Sequence, residues 1–452
     1  MWGNSSNPVE KFTPKKTCRE IPFLLRNPPD PKIMDGDRPT PAAAAASVRL
    51  VLGDDDLFRE ILLRLGFPNC LVRASLVSKR WLFHVSDPAF LCLFRERNPP
   101  RLLGFCVSNR SPQCPWYEFV QLPQSPELAA LVRRGASSCN DAFRRSCQCQ
   151  GIQHVRNGRL IAWFSNDGRL KHSILAPLLA GESEVVLPPT PPISPPHREE
   201  PALGVFSRII LPEDGSRGFI TLVYLWQVRR NVRAEVYVLR SGGWGFPATA
   251  MTEVPNAAAF LTKMLPPVRG KVFMVTSFGC ILGLDLAAAR FLKLELPAQI
   301  GRNYMLSSAE GSGIYLVNAD GFQLSVWLHR MMSNSDGAGG WLLVDSFCVR
   351  EAYSSAGHNW VWIPQDGDFL GVAAVGDNAE FVFLDYVRYG VVLYVHLRSR
   401  VVEKVYEQAP YHHGFFRLGL SHIHVSPFMM IWPPVFPTLK RDTIKSNDPA
   451  VL

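Results

Sequence analysis

The sequence predicts a multidomain α + all-β protein: a small N-terminal helical bundle followed by a β-propeller-like domain of about six blades. Three observations carry this reading. Apolar residues recur at helical spacing from Val48 to about Asn98, and beyond Arg101 in short strand-like runs separated by Gly, Asn, Asp and Pro. Within the second part a unit of strand, tight turn, strand, loop and strand returns about every 40 to 50 residues. With 452 residues, 47% of them hydrophobic and 19% charged, the chain is too long for one ordinary core and too apolar to stay unfolded.

The elements follow in order. Residues 1–47 read as a disordered extension with an Ala/Pro linker; Met34 is a candidate translation start, because four of the twelve lysines lie before it. Ala42 to Ala46 is too short to stand alone as a helix and reads as linker, with order beginning near Val48. Residues 48–98 form the bundle. Asp54, Asp55 and Asp56 supply an acidic helix start, and Leu57, Ile61, Leu62 and Leu65 give one apolar face that Gly66 closes. Pro68 and Asn69 restart the chain, with Asn69 as N-cap before Leu71, Ala74 and Val77. A short third helix carries Trp81. Ser86-Asp87-Pro88 opens a fourth, before Phe90, Leu91 and Phe94. Pro99-Pro100 is the domain boundary.

The β domain is assigned to residues 99–432 and a flexible tail to 433–452. Three copies of its unit stand out. One is Lys271 to Thr276, the turn Ser277-Phe278-Gly279, Cys280 to Asp285, then Phe291 to Leu296. Another is Ser312 to Val317, the turn Asn318-Ala319-Asp320-Gly321, Phe322 to Leu328, then Trp341 to Ser346. The third is Glu380 to Asp385, Gly390 to His396 and Val401 to Tyr406. Fainter copies start near Arg159 and at Gly218. A β-sandwich is the competing arrangement; the propeller is favoured because repeated units of this length stack naturally around an axis.

Composition excludes several classes. Apolar runs are broken too often for a membrane span, the first residues do not resemble a secretory signal, and the ten cysteines show no disulfide framework. The expected location is cytoplasm or nucleus. A formal net charge of +9, with 36 arginines among the 48 basic residues, motivates an alternative reading as a nucleic-acid-associated basic β protein. No interleaved basic and aromatic stripe supports it, so nucleic acid is an unlikely partner.

The segment Leu52-Gly53-Asp54-Asp55-Asp56-Leu57 to Leu65, with Leu71 to Trp81 and Asp87-Pro88-Ala89-Phe90, resembles the F-box. It keeps the order, spacing and closing Val-x-Lys-x-Trp and Pro-x-Phe elements. Gly53 stands where the family has proline and Ser78 where it has cysteine. The remainder resembles the long grass-type plant F-box proteins through Pro100 to Phe105, Asn157-Gly158-Arg159-Leu160 and Leu187-Pro188-Pro189. These resemblances imply a substrate receptor of an SCF (Skp-cullin-F-box) ubiquitin ligase. Its F-box would bind a Skp-type adaptor, and through it cullin, by Leu52, Leu57, Ile61, Leu65, Pro68, Leu71, Val77 and Trp81. The β domain would bind an unidentified protein substrate. Physically, a bundle of about 45 residues has too little interior to bury every apolar side chain, so some must meet a partner.

Catalytic, metal and cofactor sites are not expected. Cys139, Cys147, Cys149 and His154 match no standard zinc spacing and read as loop and strand residues. His412, His413, His422 and His424 read as surface or strand histidines. No nucleophile elbow, P-loop, dinucleotide fingerprint or H-E-x-x-H is present. Pro188 to Pro201 reads as an extended inter-blade loop, with a docking peptide as the alternative. Trp244, Trp360, Trp362 and Tyr411 are candidate substrate anchors, though blade packing is the simpler role.

Overall fold

A computed structural model describes residues 41–109, 116–145, 149–166, 169–179, 184–193, 204–212, 219–256, 258–298, 300–309, 313–330, 340–357, 369–408, 423–434 and 436. The chain divides into two compact units, 1–61 and 62–452. Among the described residues five helices come first: α1 (Pro41–Gly53), α2 (Asp55–Leu63), α3 (Pro68–Ser75), α4 (Lys79–Ser86) and α5 (Pro88–Arg97). The switch from helix to strand falls between Arg97 and Leu102, around Pro99-Pro100.

Two local expectations need correction. The alanine run 42–46 is not linker but the opening of α1. Pro41 presets the first turn, alanine is the best helix former, and the run continues without a break into Ser47 to Leu52, giving 13 residues instead of five. Asn69 is not an N-cap: Phe67 holds that position in extended backbone and Pro68 is the first helical residue. Proline wins there because its missing N–H is one that the first turn leaves unbonded anyway.

The β part begins with β1 (Leu102–Asn109) and β2 (Trp116–Gln121), followed by helix α6 (Pro126–Arg145). Four strands make the next sheet: β3 (Cys149–Arg156), β4 (Arg159–Asn166), β5 (Arg169–Leu175) and β6 (Glu184–Val186). Then come β7 (Gly204–Ile210), β8 (Thr221–Val228) and β9 (Asn231–Arg240), with β10 (Gly243–Trp244) and β11 (Ala248–Glu253) both paired to β9. A further sheet holds β12 (Leu261–Met264), β13 (Lys271–Thr276), β14 (Cys280–Asp285) and β15 (Arg290–Glu295). Next are β16 (Tyr304–Ser308), β17 (Gly313–Asp320), β18 (Gln323–Arg330) and β19 (Trp341–Cys348), then helix α7 (Val349–Ser355). Last are β20 (Gly371–Val375), β21 (Phe381–Tyr386), β22 (Val391–His396) and β23 (Val401–Glu407), and finally β24 (Ile423–Met429).

These are six antiparallel blades, so the propeller is the fold. The ring closes because β24 pairs with β1, Asn109 opposite Ile423 through Leu102 opposite Met429, so both ends of the β domain build one blade. Among the described residues that blade has three strands. Its outer edge is covered by α6, whose Leu128, Val132, Ala136, Cys139 and Phe143 form the buried stripe. Asn140 on α6 accepts from the Phe119 N–H at 2.8 Å, answering a backbone group on the edge strand β2. Neither α6 nor α7 was expected from the sequence.

The three units read from the sequence are the second to fourth strands of their blades; the inner strands β12, β16 and β20 precede them. One turn also differs. Asn318, Ala319 and Asp320 belong to β17, and Gly321-Phe322 alone makes the turn, with Asp320 opposite Gln323 and Gly321 at φ 56°. A two-residue turn needs positive φ, which glycine supplies without a Cβ clash.

Neighbouring blades are stapled by polar side chains that answer the backbone of an inner strand. Gln153 Oε1 accepts from Ile209 N at 2.7 Å, and Gln227 Oε1 from Leu261 N at 3.1 Å. Asn303 Oδ1 accepts from Val372 N at 2.8 Å while its amide donates to Leu370 O at 2.7 Å, and Asp385 Oδ2 accepts from Ile423 N at 3.0 Å. Asn303→Ala strands both a donor and an acceptor at one junction. It is expected to lower stability by about 2–3 kcal/mol, read as a lower urea midpoint at unchanged slope.

Candidate functional site

In the unit 1–61, Asp54 organises the start of α2. Its Oδ1 accepts from the N–H groups of Asp56 at 2.9 Å and Leu57 at 3.0 Å, satisfying amides that the first helical turn leaves open. Phase along the helix then sorts the side chains. Phe58 is fully buried, whereas Leu57 is 50% and Ile61 39% exposed. On α1, Leu52 is half-buried and Leu50 is exposed.

In the unit 62–452, α3 buries Pro68, Leu71, Ala74 and Ser75. Leu71 is 0% exposed, so it and Pro68 offer no docking surface as the chain stands; both face inward because the helix turns their common side to the interior. The helix ends at Ser75, with Leu76 as its C-cap. That early end breaks the i, i+3 phase linking Leu71 and Ala74 to Val77, and the two residues beyond it turn outward, Leu76 69% and Val77 62% exposed. Ser78 caps α4, its hydroxyl accepting from Trp81 N at 3.3 Å. Trp81 and Leu65 are half-buried. His84 and Val85 line the inner side of α4, which leaves Phe83 73% exposed. Asp87 caps α5 by accepting from Phe90 N at 3.1 Å, with Pro88 next in the chain, as the spacing predicts.

The expected adaptor-facing set is therefore placed unevenly. Leu57, Ile61 and Val77 are exposed, Leu52, Leu65 and Trp81 half-buried, Pro68 and Leu71 buried. Leu76 and Phe83 are exposed as well and were not singled out from the sequence. Their signal is position: one caps a helix end, and the other sits beside inward-facing His84.

The segment 62–98 is anchored to the propeller. Phe94 stacks on Trp432 with ring centres 5.9 Å apart and planes 3° from parallel, and the Arg101 guanidinium lies 4.5 Å from the centre of the Phe67 ring. Trp432 follows β24 and Arg101 precedes β1, so the anchor sits on the face carrying first-to-second-strand connections such as Asn157-Gly158. Gly158 is required there: its φ is 66°, and a Cβ would lie 2.5 Å from Ile431. The opposite face carries the second-to-third-strand turns, including Arg229-Arg230, Phe278, Gly321-Phe322 and Arg388-Tyr389. Phe260 is exposed on that face, with the Arg302 guanidinium 5.6 Å from its ring centre.

Cys139 lies on α6 and Cys149 on β3, both buried, and burial pushes each thiol up to about 12. Both stay protonated at neutral pH, the opposite of what a metal ligand or nucleophile needs. His154 accepts from Leu211 N at 3.0 Å and is held to about 3 by burial and the Arg208 and Arg156 charges, so it is a neutral inter-blade staple. Among the described residues no three His, Cys, Asp or Glu side chains are arranged to hold a metal ion, and no helix is long and apolar enough to cross a membrane. Trp244 is half-buried in β10, and His424 half-buried in β24. Cys147, His412, His413, His422, Trp360, Trp362, Tyr411 and residues 1–40 lie outside the described residues.

Comparisons with known proteins agree with this geometry. Residues 151–436 match the family model "F-box protein AT5G49610-like, beta-propeller", and residues 54–93 match the F-box domain model. No curated protein matches. Among solved structures, the nidogen/laminin complex is similar at 8% identity and TM-score 0.34, over 72% of this chain and 97% of that one. Virginiamycin B lyase from Staphylococcus aureus is similar at 9% identity and TM-score 0.30, over 58% and 71%. The Cps50 (Swd1) β-propeller domain of Myceliophteria thermophila follows at 11% identity and TM-score 0.29, over 57% and 68%. Likeness this slight carries no functional information.

Proposed function

This chain belongs to the AT5G49610-like F-box β-propeller proteins, and from that membership we propose that it is a substrate-recognition subunit of an SCF ubiquitin ligase. Its F-box docks on a Skp-type adaptor, which links it to cullin, and its propeller holds a target protein. The observation that carries the reading is the exposure of large apolar side chains in the F-box: Leu57 and Ile61 on α2, and Leu76, Val77 and Phe83 around α4. Apolar side chains concentrated in so short a segment favour a partner that removes them from water, at about 25 cal/mol per Å2 buried.

The chain contributes no catalytic residue in this account. Its part in the reaction is proximity: a bound target lysine held near a ubiquitin-charged enzyme reacts at a raised effective concentration. The target docks on the propeller away from the face that anchors segment 62–98. Affinity capture of the tagged full chain from cell extract tests this. Recovery of a Skp-type adaptor together with a cullin is the expected result, and recovery of neither counts against the assignment.

A further inference from the structure

The segment joining β6 to β7 starts Leu187-Pro188-Pro189-Thr190-Pro191-Pro192-Ile193. Its four prolines fix φ near about −65°, and residues preceding proline are driven out of the helical region, so the composition of the strap favours polyproline II. That helix has three residues per turn and no internal hydrogen bonds, which leaves its carbonyls free to accept. Among the prolines burial matches this spacing: Pro188 and Pro191 are half-buried, Pro189 and Pro192 exposed.

Two donors meet the strap at this spacing. Trp244 Nε1 donates to Pro188 O at 3.3 Å, and the Tyr224 hydroxyl donates to Pro191 O at 2.8 Å. The carbonyls they choose are one turn apart, about 9 Å in this geometry. The rings behind them are fixed. Tyr237 packs edge-on to Tyr224 with centres 5.9 Å apart, and its hydroxyl donates to buried Glu235 at 2.9 Å. The Arg233 guanidinium reaches Glu235 at 3.3 Å and lies 5.5 Å from the Trp226 ring centre. A rigid aromatic row with two donors at polyproline spacing recognises backbone shape and carbonyls, which any proline-rich segment presents.

We propose that Tyr224, Tyr237 and Trp244 form a polyproline-binding groove, filled in this structure by the chain's own residues 188–193, in which a proline-rich segment of a target protein binds by replacing them. The inference rests on the propeller being the recognition module. Adaptor plays no part in the test below, so peptide binding and adaptor binding fail independently.

Covalent attachment gives the strap a high effective concentration, so a competing peptide meets the groove only in the fraction of molecules where the strap is off. The test uses the full chain and a fluorescent peptide with the sequence of residues 186–193. Loosening the strap with Pro188→Gly and Pro191→Gly is expected to tighten peptide binding about tenfold, as for a groove otherwise only about one-tenth open. Adding Tyr224→Phe and Trp244→Phe, which keep rings but remove both donors, is expected to abolish that gain. The proposal fails if the loosened chain binds no better than the natural one, if the gain survives loss of the donors, or if a peptide with alanine for every proline binds equally. Should the glycine pair unfold the chain, the rate at which a thiol reagent labels a cysteine placed at half-buried position 190 (Thr190→Cys), read by peptide mass, provides the second measurement. Faster labelling when Tyr224→Phe and Trp244→Phe are added supports the groove, and an unchanged rate overturns it.

Discussion

Replacing Leu57 and Ile61 together by aspartate is expected to weaken capture of a Skp-type adaptor by about 100-fold or more while leaving the propeller's thermal transition in place. Each leucine or isoleucine withdrawn from water on docking contributes about 2 kcal/mol, and a carboxylate left in the interface adds an unpaired charge. Two such changes exceed about 3 kcal/mol, which is more than two decades in affinity. Because both side chains are exposed in the chain alone, the substitutions disturb little of its interior. Leu76→Asp with Val77→Asp is expected to act in the same way from the other unit. Leu71→Asp is uninformative by contrast, since a charge at a fully buried position would unfold the helices whether or not an adaptor binds there. The measurement is adaptor affinity by surface plasmon resonance beside a melt of each variant. Wild-type affinity in both pairs would remove the docking assignment.

Asp385→Asn is expected to stabilise the propeller above pH 7 and to make no difference below about pH 4. Burial raises the Asp385 carboxyl to about 7, although the Ile423 N–H opposes that rise. In the unfolded chain the same group titrates near about 3.9. Below that value both states hold the proton. As pH climbs toward 7 the unfolded chain releases it and the folded chain does not, so stability present at low pH is lost, and above 7 the loss is complete. The displacement, at about 1.4 kcal/mol per pH unit, caps the effect at about 4 kcal/mol. Asparagine retains an oxygen to accept from Ile423 N and carries no charge to bury. Urea midpoints of both chains between pH 4 and 8 check this: the difference should open across pH 4 to 7 and then level off. Parallel profiles would show that Asp385 does not titrate in that window.

What the sequence revealed, and what it hid, divides by range. Asp54 and Asp87-Pro88 act within one helical turn, so their capping roles were legible. The same holds for the hairpins of blades such as β13–β14, whose turn Ser277-Phe278-Gly279 lies between the strands as expected. The stripe of α6 was present at spacings of four, four, three and four. Gly135, Ser137, Ser138 and Asn140 weaken helix propensity there, and helix formation follows instead from packing: Gly135 lets α6 approach Leu178, where a Cβ would stand 2.9 Å away. The inner strands missed beside the three clear units are short, four residues in β12 and five each in β16 and β20, too brief to show an alternation. Pairing of β1 with β24 joins residues at opposite ends of the β domain, and nothing local to either strand announces it.

The residues proposed for docking show the same limit. Interior volume alone says that some apolar side chains of the F-box face outward, but not which ones. Helix phase decides that: Leu71 faces inward, Val77 beyond the early end of α3 faces outward as expected, and Leu76 joins it at the surface.

Titration calorimetry of a purified Skp-type adaptor into the full chain addresses the receptor assignment most directly. A one-to-one complex with Kd below about 1 μM and a negative heat-capacity change, the mark of apolar surface leaving water, is the expected result. Absence of any binding with adaptor at about 100 μM would contradict it, since so weak an affinity, above about −5.5 kcal/mol, cannot hold a receptor on its ligase.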